Sequence, residues 1–578
     1  MNSKRRLEIV LIFFCFSFII LLGRLFYWQI LANERLAVLA QNQQRSTIEI
    51  PAKRGEIFTS DGSYLVANQP SYLAYLVRKN KDLDPDLPKK LAPILADELS
   101  FAATPSVQLE ETEIILANRF SDKNLIWIPL ARRLNLEKKL QLEALAIPEL
   151  NFEFSQTRLY PEASMAAHLL GFVGLTESGK ETGLYGLEGF YQTELAGRPG
   201  LIRQERDAFN QPILNGQWQK QDPKDGRQLK LYIDKSLQFI IEKKLAKAIE
   251  QFGAKSGSIT VMNPYTGAIL AMSSLPAYDP ISYYRFKPER YLNPVISQPF
   301  EPGSIFKVIV MAAALDVKAV DINTRCEICN GPVKIDKYFI KTWNDKYFPN
   351  SSMEDILVHS DNVGMVFISQ KLGLEKFLDY YKKFGFTEPT GIDLQDEIVA
   401  VPKPDKSWTY VDLATASFGQ GFVATGMQLL RAVAAIANGG QLVTPKVVAE
   451  VIAGGKSIPV PTKITRQVIS PETSKTVTQM MVAAAKDGEA KWANVKGYQI
   501  AGKTGTAQIA VGGKYATSKT NASFIGFAPA DKPRFVMLVT LQEPSTSQWA
   551  SETAAPLWFS VAQDILNHFN LVPYSTIN

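Results

Sequence analysis

Lys4, Arg5 and Arg6 stand before an apolar run, Ile9 to Leu22, which resumes after Gly23 and Arg24 as Leu25-Phe26-Tyr27-Trp28-Gln29-Ile30. Ile9 to Ile30 is 22 residues, about 33 Å of α-helix and enough to cross the hydrocarbon core of a bilayer. A segment of this kind has to be helical in a membrane, and no later stretch is long and apolar enough to span again. Arg24 interrupts it about five turns in, where its guanidinium can snorkel to the interface beside Tyr27 and Trp28. A cleaved signal peptide is the alternative, but no small-x-small cleavage site follows directly. The expectation is an uncleaved anchor at residues 9–31 with a cytoplasmic tail at 1–8. The basic cluster then leaves the catalytic part on the outer face of the cytoplasmic membrane, in a single-pass arrangement.

The remainder is long enough for two to four domains. With 46% apolar and 21% charged residues the whole chain has the composition of a folded protein. The net charge of +6, from 63 basic and 57 acidic residues, is spread without a long basic run, which argues against a nucleic-acid partner. Glu34 to Gln44 reads as a helical continuation of the anchor, and Thr47 to Pro51 as a strand before the turn Ser60-Asp61-Gly62. Residues 80–148 are amphipathic and charged, as in Leu136 to Leu145, a helix that Asn135 can cap. Residues 158–191 are glycine- and turn-rich, and Glu188 among them reads as structural. A polar stretch at 215–228 reads as a linker, separating a first domain at 32–214 from a second at 229–570, with a tail at 571–578.

In the second domain, Leu229 to Ile233 is strand-like and Ser236 to Phe252 helical. Gly257 to Met262 and Ala268 to Met272 flank the hairpin signal Asn263-Pro264-Tyr265-Thr266-Gly267. Gln499 to Ala501, Ser523 to Ala528 and Phe535 to Gln542 are further strands, and Ser551 to Phe569 a closing helix. Strands at both ends with helices between predict an α+β domain, an antiparallel sheet packed with helices.

Three short motifs carry chemistry. In Ser304-Ile305-Phe306-Lys307 the i, i+3 spacing puts hydroxyl and amine on one helical face, started by Pro302-Gly303. An amine with a pKa of about 10.4 is a poor base at pH 7, so Lys307 needs burial and a neighbouring cation, for which Lys503 is the candidate. Ser360-Asp361-Asn362 follows 56 residues after Ser304. Its serine can relay a proton and its asparagine can hold a substrate amide by donor and acceptor together. Lys503-Thr504-Gly505-Thr506 lies in a strand-like run, where the lysine and hydroxyls suit a carboxylate and the glycine lets a substrate backbone approach.

Competing readings of these residues are weaker. Gly497 to Thr504 fits the phosphate-loop pattern, but its interior residues are strand formers and no helix follows, so no nucleotide is expected. His359 is adjacent to Ser360 and Asp361 and cannot fold back on them as a triad. Cys326-Glu327-Ile328-Cys329 is a lone C-x-x-C, read as a local disulfide or two unpaired thiols rather than a metal site. Neither a metal nor a cofactor is expected.

The ordered set S-x-x-K, S-D-N and K-T-G is that of the penicillin-recognising serine acyltransferases. The chain resembles the class B penicillin-binding proteins, membrane-anchored peptidoglycan D,D-transpeptidases. The likeness extends over Arg54-Gly55-Glu56-Ile57, Arg158-Leu159-Tyr160-Pro161 and Gly186-Leu187-Glu188-Gly189. It continues through Asn263 to Gly267, the three motifs, Gly391-Ile392-Asp393-Leu394 and Ser417-Phe418-Gly419-Gln420-Gly421. It departs after Ile57, where Thr59-Ser60 stand in place of a frequent Asp-Arg pair. The resemblance implies an elongated mixed pedestal of the dimerisation type ahead of the transpeptidase domain, of the septal cell-division type more than the elongation type.

It implies Ser304 as the acylated nucleophile, Lys307 as its base and Ser360 as proton relay. Asn362 would orient the stem peptide, and Lys503, Thr504, Gly505 and Thr506 would bind the terminal carboxylate end. The backbone N–H groups of Ser304 and Thr506 would form the oxyanion hole. The implied substrates are peptidoglycan stem peptides ending in D-Ala-D-Ala, with β-lactams as covalent inhibitors. The implied partners are a SEDS-type glycan polymerase and divisome or elongasome proteins. Two rivals share some features. A serine β-lactamase would need a water-activating base such as Glu397, 93 residues after Ser304, and has no use for a pedestal. A non-catalytic β-lactam sensor or division scaffold would need a cytoplasmic signalling part.

Overall fold

The computed structural model describes residues 3–36, 45–78, 83–99, 104–177, 179–205, 218–401, 403–493, 495–511 and 514–573. The expected helical continuation at 37–44, the start of the linker at 215–217 and the extreme termini, 1–2 and 574–578, lie outside the described residues. The chain divides into two units, Met1–Arg54 with Gly197–Gly226, and Gly55–Ala196 with Arg227–Asn578.

In the first unit the apolar run forms a helix, Ser3–Phe26, prolonged by a π-helical turn, Tyr27–Leu31. Lys4–Leu31 is long and apolar enough to cross a membrane: its most apolar 18-residue stretch has a mean hydropathy of 2.7, and none of that stretch is buried in protein. Ser17 Oγ donates to the Phe13 carbonyl at 2.8 Å, satisfying its hydroxyl within the helix. The Arg24 guanidinium lies 5.6 Å from the Trp28 ring centroid, so the interrupting charge rests on an aromatic face near the helix end. The strand Arg45–Ile50 pairs antiparallel with Gly200–Glu205, which pairs with Trp218–Gln221.

The second unit contains a mixed seven-stranded sheet. Gln228–Leu231 is its junction, parallel to Ile57–Phe58 on one side and antiparallel to Val448–Ala453 on the other. Tyr64–Val77 continues the sheet and pairs with both Trp127–Leu134 and Leu150–Leu159. As expected, Asn135 caps the helix Leu136–Glu143, accepting from the Lys138 N–H at 2.8 Å. Three of the family-like motifs meet at one buried ion pair. Arg158 donates to Glu188 at 2.9 Å, to Asn68 at 2.8 Å and to the Gly55 carbonyl at 2.7 Å, with the Glu188 side chain fully buried. A side chain at Gly55 would collide with the Arg227 carbonyl at 1.8 Å, so only glycine lets these two segments touch.

The site is positioned by a second sheet. Helix α1 (Lys235–Phe252) starts at Asp234, whose carboxylate accepts from the Leu237 N–H at 2.9 Å. It leads into the hairpin β1 (Ser256–Met262) and β2 (Ile269–Leu275). Helices α2 (Lys307–Asp316), α3 (Met353–Val358), α4 (Asn362–Leu372), α5 (Gly426–Ala437) and α6 (Pro471–Asp487) follow. Strands β3 (Ala501–Val511), β4 (Lys514–Ala528) and β5 (Phe535–Gln542) and the closing helix α7 (Ala554–His568) complete it.

The strand order is β2-β1-β5-β4-β3, all antiparallel, with β3 at the edge. Along β5 the side chains alternate between two cores, as a pleated strand buried on both faces must. Phe535, Met537, Val539 and Leu541 join Leu237, Ile241 and Trp558 of α1 and α7 on one face. Val536 and Leu538 join Met427 of α5 and Ile305 on the other. Every residue of α5 is buried, including Gln428 and Arg431, whose side chains donate to the Glu388 carbonyl at 3.1 Å and the Val443 carbonyl at 2.9 Å.

Candidate active site

Ser304 lies not in an α-helix but in a 3₁₀ turn, Gly303–Phe306, that runs into α2. The i, i+3 relation survives because a 3₁₀ turn eclipses those positions. Gly303 and Gly419 permit the turn's position. Gly303 has φ +58° and its N–H donates to the Gly419 carbonyl at 2.9 Å. A side chain on Gly419, itself at φ +83°, would meet the Gly303 carbonyl at 2.1 Å. The Ser417-to-Gly421 segment therefore packs directly on the backbone that presents Ser304.

Lys307 is fully buried at the start of α2. Its Nζ donates to the Ser360 carbonyl at 2.6 Å, to Ser360 Oγ at 3.2 Å and to Asn362 Oδ1 at 2.8 Å. Burial, and then the positive charge of Lys503, lower its pKa to about 7, with Asp361 and Glu489 pulling the other way. Keeping the amine neutral there represents on the order of 5 kcal/mol of disfavour toward the charged form. The requirement read from the sequence, burial plus a neighbouring cation, is the arrangement present.

Ser360 is buried with φ +52°, a left-handed conformation that costs a non-glycine residue about 1–2 kcal/mol. It is held by its flanks: α3 ends just before it, and Asp361 caps α4 by accepting from the Val363 and Gly364 N–H groups at 2.8 and 3.2 Å. Asn362 uses Oδ1 for Lys307 and one Nδ2 hydrogen for the Lys341 carbonyl at 3.0 Å. One amide hydrogen and one lone pair remain for a ligand.

Lys503, Thr504 and Thr506 stand in the middle of β3, with no helix after them, so the phosphate-loop reading has no structural basis. The Lys503 amine is buried, which lowers its pKa, and donates to Thr504 Oγ1 at 3.0 Å. Thr504 in turn donates to Glu489 Oε2 at 2.8 Å. Thr506 Oγ1 accepts from the Ala550 N–H at 3.0 Å, leaving its own proton to donate. Gly505 makes room for the protein itself: a side chain there would meet Ile305 at 2.7 Å and Ser523 at 2.6 Å. In this structure its bareness lets the turn that carries Ser304 seat against β3, a different reason from the substrate approach read in the sequence.

Ser304, Ser360, Asn362, Thr504 and Thr506 line one cleft of about 280 Å³. Several lining residues were not anticipated, Trp343, Trp549 and Glu489 among them. Trp343 and Trp549 form a tilted pair at 5.0 Å across the cleft wall, and Glu489 brings a carboxylate into it. None has a local signature, since each arrives on a loop whose docking is a tertiary matter. Glu397 is elsewhere: its carboxylate accepts from the Thr390 N–H at 2.8 Å, the Gly391 N–H at 3.0 Å and the Thr390 hydroxyl. His359 stacks on Phe348 with ring centroids 3.8 Å apart. Cys326 and Cys329 form a disulfide, which resolves the two alternatives left open above. The Cys326 N–H donates to the Ser351 carbonyl at 2.9 Å, next to the Ser352 cap of α3.

Comparison with known proteins covers the region that holds this cleft. Residues 257–567 match the penicillin-binding protein transpeptidase domain, and residues 49–231 the penicillin-binding protein dimerisation domain. Stage V sporulation protein D of Bacillus subtilis is 32% identical over 575 residues, 99% of this chain and 86% of that one. A Neisseria gonorrhoeae protein named "Probable peptidoglycan D,D-transpeptidase PenA" is 28% identical over 99% of this chain and 94% of its own. Among solved structures, penicillin-binding protein 2X of Streptococcus thermophilus superposes with a TM-score of 0.71 at 24% identity, covering 90% of this chain and 80% of that one. Penicillin-binding protein 3 of Mycobacterium tuberculosis, complexed with aztreonam, gives 0.69 at 24% identity over 91% and 98%.

Proposed function

The chain belongs to the class B penicillin-binding proteins, and from that premise we propose that its peptidoglycan D,D-transpeptidation runs through Ser304. The reaction is acyl transfer by a serine D-Ala-D-Ala transpeptidase, and β-lactams are its covalent ligands. The observation that carries the residue assignment is Lys307: an amine buried, held by Ser360 and Asn362, and brought to about pH 7 beside Lys503. Neutral Lys307 takes the Ser304 proton as Oγ attacks the penultimate D-Ala carbonyl. The backbone N–H groups of Ser304 and Thr506 receive the oxyanion. Ser360, in contact with Lys307, passes a proton to the departing D-Ala nitrogen, leaving an ester on Ser304. A neighbouring stem's amine then attacks that ester and frees the serine. Lys503, Thr504 and Thr506 hold the terminal carboxylate and Asn362 the stem's amide.

Ser304→Ala is expected to abolish covalent labelling by a fluorescent penicillin while the melting temperature stays within a few degrees of the native one. An adduct recovered by mass spectrometry on Ser360 or any other residue would overturn the assignment.

The apolar helix supports a single-pass anchor, and the basic residues before it support a cytoplasmic N-terminus with the catalytic part outside. The division into a pedestal at 32–214 and a transpeptidase domain at 229–570 is supported by the two family matches. Within this reading the protein serves septal synthesis more than elongation and works beside a SEDS-type glycan polymerase. Detergent extraction from membranes together with such a polymerase is the measurement that checks anchor and partner at once, and recovery in the soluble fraction without it would count against both.

A further inference from the structure

Thr504 has a single hydroxyl proton, and a protein group already holds it. Lys503 Nζ donates to Thr504 Oγ1 at 3.0 Å, and Thr504 donates to Glu489 Oε2 at 2.8 Å. A hydroxyl has one donor, so it serves one carboxylate at a time. The proposed reaction needs that same proton for the carboxylate of the substrate. Thr506 is in a different state, because its oxygen accepts from the Ala550 N–H and its proton is left to donate.

Glu489 is not a loosely held surface acid. Helix α6 ends at Asp487, and a side chain at Gly488 would meet the Ala484 carbonyl at 2.2 Å and the Val358 carbonyl at 3.1 Å, so the exit of α6 is seated on the end of α3. Ala490, on the other side, is buried. Between these two anchors Glu489 lines the cleft. Lys307 and Lys503 both feel its charge. Among the described residues, however, it forms no salt bridge, and the one hydrogen bond its carboxylate accepts is that from Thr504.

We propose that Glu489 is a built-in occupant of the carboxylate subsite and thereby a specificity-determining residue: it holds the Thr504 hydroxyl in the free protein, and the carboxylate of a ligand has to take that hydroxyl from it. The proposal rests on the placement of the substrate carboxylate at Lys503, Thr504 and Thr506. The proton stays on Thr504 throughout, and only its acceptor changes. Displacement brings two carboxylates beside one hydroxyl, and their repulsion opposes binding. A ligand offset by contacts at Thr506, Asn362 and Ser304 overcomes that opposition, whereas a small carboxylate held at Lys503 and Thr504 alone does not.

The test follows acylation of the full-length protein in detergent by benzylpenicillin and by its methyl ester, which differ only in the carboxylate. Rapid mixing separates the dissociation constant of the complex that precedes acylation from the limiting acylation rate. Measurements are made on the alkaline plateau, so that a displaced Lys307 limb does not enter. Glu489→Ala, which removes charge and acceptor, is expected to tighten the dissociation constant for benzylpenicillin about tenfold, the size of one hydrogen bond to a charged group. Glu489→Gln, which keeps a neutral acceptor, should tighten it less. The limiting rate, and both constants for the ester, should change by less than about twofold.

The gain should persist at about 1 M salt, where charges more than about 3 Å apart are screened, because competition for one proton is a contact effect. A gain lost in salt would reduce Glu489 to a remote charge and overturn the proposal. Unchanged binding in both variants would overturn it as well. So would weaker binding, since Glu489 would then support Lys503 rather than oppose the ligand. Melting temperatures report folding, and the nearly isosteric Glu489→Gln carries the test where the alanine variant does not fold. Equal dissociation constants for penicillin and ester in the native protein would remove the carboxylate placement itself, and the proposal with it.

Discussion

In the proposed reaction Lys307 must be neutral to accept the Ser304 proton, and its pKa of about 7 is a balance among burial, Lys503, Asp361 and Glu489. Below that pH the amine is protonated, so acylation by penicillin should fall about tenfold per pH unit on the acid side and level off above it. Glu489 holds the charged form in place, so Glu489→Gln should move this acid limb to lower pH, while Glu489→Asp should move it less. A pH profile of the second-order acylation rate checks this, and a limb that stays put or moves upward would count against it. At this scale much of the site was legible. The three motifs named the groups that converge, and the chemistry of an amine base dictated burial and a cation. Glu489 was illegible because nothing in Asp487-Gly488-Glu489-Ala490 marks a carboxylate for a cleft. Its place depends on α6 ending where β3 begins to line the site.

Elements with local signals formed where their patterns indicated. Asn135 caps its helix, the Asn263-to-Gly267 turn joins β1 to β2, and β5 alternates between two cores. Leu229 to Ile233 reads as a strand, but the pairing of the seven-stranded sheet leaves no such trace, because Ile57–Phe58, Gln228–Leu231 and Val448–Ala453 come together from distant parts of the chain and each is short. Its integrity rests on groups that sequence patterns do not reveal as partners. Asp393 accepts from the Val447 and Val448 N–H groups at 2.6 and 2.9 Å and from the Tyr191 hydroxyl at 3.0 Å. Arg158 and Glu188 tie three motifs together in the interior. Removing one partner of such a pair strands a buried charge, so Glu188→Ala should destabilise the protein by about 3–5 kcal/mol. Glu188→Gln, which retains an acceptor for Arg158, should cost less. Urea unfolding followed by tryptophan fluorescence measures both, and a native midpoint for the alanine variant would remove the pair from the account of how these motifs are held.

At the scale of the molecule, the question is what becomes of the ester proposed to form on Ser304. A transpeptidase has to keep its acyl-enzyme from water until an amine arrives, whereas a β-lactamase has to bring water to it. Two carboxylates are candidates for activating water, and the structure treats them differently. Glu397, the candidate by sequence separation, has its oxygens taken by Thr390 and Gly391 in a turn, and it does not line the cleft. Glu489 does line the cleft, but one of its oxygens accepts the Thr504 proton, and Thr504 is a residue proposed to hold the substrate carboxylate. Water activation at the proposed ester would need a free carboxylate oxygen away from that carboxylate-binding end. The penicillin adduct is therefore expected to persist, with a lifetime that Glu397→Gln and Glu489→Gln each change by less than about threefold, under 1 kcal/mol of barrier. Intact-protein mass spectrometry over time follows the adduct directly. Rapid turnover of penicillin that either substitution abolishes would identify that residue as a hydrolytic base and recast the molecule as an anchored β-lactamase.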